Sequence, residues 1–61
     1  MSFYYIVVNI DKQMYFIDKD LDLTDNFDFA RRFQTKDEAD EFISKHYPNG
    51  NANVMFYKGA H

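Results

Sequence analysis

The chain opens with Phe3-Tyr4-Tyr5-Ile6-Val7-Val8-Asn9-Ile10, a run of β-branched and aromatic residues that suits a pleated strand. Asp11-Lys12-Gln13 interrupts it and Met14-Tyr15-Phe16-Ile17 resumes the same composition. This spacing predicts a β-hairpin over 3–18 with a three-residue polar connection. In the first strand Tyr4, Ile6, Val8 and Ile10 share one face, and Phe3, Tyr5, Val7 and Asn9 the other. Both faces are apolar near the middle, which predicts a central strand covered on both sides.

From 18 to 26 the pattern turns polar, with Asp18, Asp20, Asp22 and Asp25 around Leu21 and Leu23. This segment is expected to be an acidic loop or a tail of the second strand. The stretch 27–34 reads two ways. As a strand, Phe27, Phe29 and Phe33 share a face with Arg31; as a helix, Phe27, Ala30 and Phe33 form a stripe that leaves Phe29 off it. A short strand is the favoured expectation.

The helix is better specified. Thr35-Lys36-Asp37-Glu38 has the form of a capping box, in which the Thr35 hydroxyl and the Glu38 carboxylate each accept from the other's backbone amide. Ala39, Phe42, Ile43, His46 and Tyr47 then recur at the spacing of one helical stripe, and Pro48-Asn49-Gly50 stops it. A helix over 35–47 is predicted, followed by a last strand over 52–58. There Ala52, Val54 and Phe56 oppose Met55 and Tyr57. The order β-β-(β)-α-β defines the expected fold: a single small α+β domain, an antiparallel sheet of three or four strands with one amphipathic helix on one face.

Composition sharpens that picture. A 61-residue chain buries only about 60% of its unfolded surface. With no cysteine and only two histidines, neither disulfides nor a zinc cluster can staple it. Seven Phe and five Tyr must supply the core instead. The longest apolar run, Phe3 to Val8, is too short for a membrane span. Met1-Ser2-Phe3 lacks the basic start of a secretory leader, so a cytoplasmic protein is expected.

The net charge of −3 is unevenly spread: nine of the ten acids lie between Asp18 and Glu41 against four cations, leaving the rest of the chain at +2. Such a middle disfavours binding to phosphate backbones. Asp18, Asp20 and Asp22 begin like a calcium loop, but its sixth and twelfth positions fall on Leu23 and Phe29, where glycine and a bidentate acid are needed. No catalytic pair is visible: Ser44 and His46, two apart on a helix, do not face each other. No enzymatic activity and no cofactor are expected.

Three binding roles remain, and the first is favoured. The two-faced apolar strands predict more apolar surface than one helix covers, which marks a protein-binding module. Tyr5, Val7, Tyr15, Met55 and Tyr57 are the candidate interface, and a second copy of the chain is the simplest partner. The alternative cover is the 18–26 loop, folding Leu21 and Leu23 over that face. Second, Asp18, Asp20, Asp22 and Asp25 form a candidate surface imitating DNA phosphates. Third, and least favoured at this charge, Tyr5, Tyr15 and Tyr57 with Arg31 and Arg32 form a stacking face for single-stranded nucleic acid.

The segment Ala30-Arg31-Arg32-Phe33-Gln34-Thr35-Lys36-Asp37-Glu38-Ala39, ending in Phe42-Ile43, resembles a pattern in small uncharacterised phage and prophage proteins of Gram-positive bacteria. In these a β-hairpin precedes an A-R-x-F element and a T-x-x-E-A helix. The resemblance implies an accessory protein that binds a host or phage protein in the host cytoplasm. It supplies no functional residues.

Overall fold

The computed structural model describes residues 2–59. Its central element is the nine-residue strand β1 (Ser2–Ile10), which pairs along one side with β2 (Gln13–Ile17) and along the other with β4 (Ala52–Lys58). A two-residue strand β3 (Leu23–Thr24) adds to β2, giving the antiparallel order β3-β2-β1-β4. A 3-10 turn over Phe27–Phe29 and the helix α1 (Lys36–His46) complete the chain. This is the expected α+β fold. The central position of β1 also follows the pattern, because Ile6, Val7 and Val8, on both its faces, are buried.

The hairpin between β1 and β2 departs from expectation by one residue. Asp11 and Lys12 alone form the connection, with φ of 50° and 69°, and Ile10 pairs with Gln13. Positive φ at both central residues matches the turn that best follows the right-handed twist of paired strands. A one-residue change of register moves every side chain of β2 to the other face. Tyr15 therefore pairs with Val8, on the helix side, and Phe16 pairs with Val7 on the opposite side.

The segment 27–34 is not a strand along its length. Asn26 caps the 3-10 turn, its side chain accepting from the Asp28 amide at 2.9 Å, while the Ala30 amide donates to the Phe27 carbonyl at 3.0 Å. Only beyond it does the chain extend, and there Phe33 exchanges backbone hydrogen bonds with Tyr4 at 2.8 and 2.9 Å. Phe33 thus occupies the side of β1 that β2 is too short to reach.

The capping box of α1 is present. The Glu38 amide donates to Thr35 Oγ1 and the Thr35 amide to Glu38 Oε1, both at 3.2 Å. Lys36 donates to Asp40 Oδ2 at 2.8 Å, and that bond holds its ammonium above the usual lysine range; both groups are exposed and contribute little. The stripe of α1 packs on β1 and β4. Ala39 joins Ile6, Val8, Ile17 and Ala52 in the core, with Phe33, Phe42, Ile43, Tyr47 and Val54 half-buried around them. His46, expected in that stripe, is exposed, its ring 4.4 Å from that of Phe42. Ala52 completes the core at the start of β4, two residues after Gly50, whose φ of 85° favours glycine in the turn that leaves the helix.

Candidate protein-interaction site

The face of the sheet opposite α1 is organised around one ring. The 3-10 turn carries Phe27 across this face, where its centroid lies 4.9 Å from Tyr5, 5.3 Å from Tyr57, 5.4 Å from Phe16 and 6.1 Å from Phe3. Phe3 in turn stacks on Tyr57 at 4.9 Å, and the Arg32 guanidinium lies 4.6 Å from the Phe3 centroid. Val7 is buried beneath the cluster. The second face thus has a cover of its own, supplied by Phe27 and not by Leu21 and Leu23, which remain exposed.

This arrangement divides the five expected interface residues. Tyr5 and Val7 belong to the packed aromatic layer. Tyr15 lies on the helix side, its hydroxyl donating to Gln13 Oε1 at 3.1 Å. Only Met55, 44% exposed, and Tyr57, 40% exposed, remain available, and both lie on β4. Their neighbour Phe56 is 53% exposed and points to the helix side, its ring 5.0 Å from that of Tyr4. Phe56 was not singled out by sequence; its exposure depends on β4 lying at the margin of the sheet, which the sequence pattern does not encode.

The backbone of β4 is the second feature of the site. Tyr4 exchanges its hydrogen bonds with Phe33, so the polar groups of Phe3, Tyr5 and Val7 face β4 and bond Tyr57, Met55 and Asn53. The Asn9 amide, donating to the Asn51 carbonyl at 2.9 Å, continues this alternation. The N–H and C=O groups of Ala52, Val54, Phe56 and Lys58 consequently point away from the sheet, along an edge seven residues long that is open among the described residues. The devices that usually protect such an edge are proline, bulges and charges. Residues 52–58 hold no proline, their pairing with β1 runs without a bulge, and the only charge is Lys58 at the end.

Of the four acids in the 18–26 segment, Asp18 has a structural role and the other three face solvent. The Asp18 carboxylate accepts from the amides of Asp20 at 2.8 Å and Asp22 at 3.0 Å, closing the turn that holds Leu21 at φ 66°. Asp20, Asp22 and Asp25 are exposed on the far side of the sheet from β4. Among the described residues, no group of three or more His, Asp or Glu side chains is placed to hold a metal ion.

Arg31 and Arg32 diverge to opposite faces. Arg31 donates to the Lys19 carbonyl at 3.0 Å and lies 5.3 Å from the Phe42 centroid, whereas Arg32 covers Phe3. They do not make one basic patch. Among the described residues, no helix is long and apolar enough to cross a membrane. Compared with known proteins, the chain matches no family model, no curated protein and no solved structure.

Proposed function

We propose that this protein is a non-enzymatic protein-binding module that recruits an extended segment of its partner to the open edge of β4. The observation that carries this reading is the coincidence, on one strand, of backbone groups unpaired among the described residues with exposed Met55, Phe56 and Tyr57. In strand addition the backbone hydrogen bonds supply affinity and alternating side chains supply selectivity. Here Phe56 lies on one side of the added strand, Met55 and Tyr57 on the other. The resemblance to small phage accessory proteins gives such a module a context, occupying the surface of a host or phage protein.

A photo-crosslinking side chain placed at Phe56 tests this reading in cells, with the same group at Phe29 as the comparison, since Phe29 is 62% exposed and lies beside Asp18, Lys19 and Asp20, just beyond the end of β2. Protein adducts, with another protein or with a second copy, are expected from position 56 and not from position 29. Equal labelling from both positions, or none from 56, contradicts it.

A further inference from the structure

We infer that the β4 edge is built to take a second copy of this chain, in an antiparallel two-fold pairing centred on Met55. The inference rests on the strand-addition reading above and names the occupant. Only even-numbered residues of β4 present outward N–H and C=O groups. Two such strands can exchange hydrogen bonds only in registers that set even positions against even ones. A two-fold axis at Val54 or at Phe56 pairs only part of the strand. An axis at Met55 pairs all of it: Ala52 opposite Lys58, Val54 opposite Phe56, and Met55 opposite its own copy.

In that register the side chains are also matched. On the helix side each exposed Phe56 lies across from a Val54, and on the other side Tyr57 lies across from Asn53 while the two Met55 side chains meet at the axis. Lys58 faces Ala52 and so avoids its own copy. Residues 52–58 contain no acid, so the charge that gives the chain its net −3 lies elsewhere. Like charges directly opposite one another destabilise a strand pair, and this seam has none.

The other edge of the sheet is poorly suited to the same role. β3 is two residues long and lies between Asp22 and Asp25. Growth from both edges is therefore blocked, and an isologous pair at β4 closes as a dimer with one continuous sheet across it.

The lack of cysteine makes the register directly testable. A residue paired with itself at a non-hydrogen-bonded position has Cα atoms about 4.5 Å apart, within the range a disulfide spans. The Met55→Cys variant, oxidised under non-denaturing conditions, is expected to become a covalent dimer. Phe56→Cys is expected to couple at least tenfold more slowly, because each Cys would lie two residues along the strand from its copy. Met55→Lys sets two cations at the axis and is expected to sediment as a monomer with an unchanged circular dichroism spectrum. Mixing it with Met55→Glu is expected to restore a heterodimer.

Equal coupling of the two cysteine variants, or faster coupling at position 56, overturns the Met55 register. A wild-type chain that stays monomeric at hundreds of micromolar overturns self-pairing altogether. Adducts to a different protein from position 56 would then leave the strand-addition reading standing, whereas their absence would remove it as well.

Discussion

Phe27 meets Tyr5 almost perpendicularly, the two ring planes inclined at 79° with 4.9 Å between centroids. This edge-to-face contact ties a three-residue turn to the central strand across the face that α1 does not reach. Aromatic pairs of this geometry contribute roughly 0.5–1.5 kcal/mol beyond the area they bury, and Phe27 makes several at once.

Phe27→Ala is therefore expected to cost about 2–3 kcal/mol, somewhat below the loss for a fully buried ring because Phe27 is half-buried. Phe29→Ala, two residues away and mostly exposed, is expected to change stability by less than about 0.5 kcal/mol. Urea unfolding followed by circular dichroism compares them. Equal losses would mean that Phe27 does not cover the second face.

The hairpin turn offers the opposite sign of change. Lys12 has φ of 69°, a conformation that costs residues with a Cβ about 1–2 kcal/mol. Lys12→Gly removes that cost and gives back part of it in chain entropy. A net gain near 1 kcal/mol is expected, a rise of about 4–8 °C in Tm for a domain of this size. A thermal melt showing no rise or a fall would argue against the two-residue turn, and with it against the register that puts Tyr15 on the helix side.

At the helix start, Thr35→Ala removes the acceptor for the Glu38 amide and is expected to cost about 1 kcal/mol. Thr35→Ser keeps the hydroxyl and is expected to stay within a few tenths of wild type. Chemical denaturation of the two variants side by side measures the difference; an alanine as stable as the serine would show that the cap does not hold the helix.

These elements differ in how openly the sequence declared them. The helix was legible because its signals are local: Thr35 and Glu38 cap it, and Ala39, Phe42 and Ile43 repeat at helical spacing. The central role of β1 was legible because Val7 is apolar where a half-solvated strand would be polar. The hairpin register was not, since Asp11 and Lys12 adopt left-handed conformations with no glycine to announce them. Nor was the turn at Phe27, three residues long and set by the Asn26 cap, too short to show any period. The same division runs through the candidate site. Alternation along 52–58 placed Met55 and Tyr57 on one face, but the exposure of Phe56 follows from strand order, a matter of long-range pairing that no local pattern reveals.

Amide hydrogen exchange across a dilution series tests the open β4 edge and its self-pairing most directly. The Met55 and Tyr57 amides bond to β1 and are expected to be protected at every concentration. The Val54 and Phe56 amides point outward and are expected to exchange freely in dilute solution, then to gain protection together as concentration rises. If they exchange freely throughout, even in the most concentrated sample, the edge does not pair with a second copy; if they are protected even at the highest dilution, in a chain that sediments there as a monomer, the edge is not open.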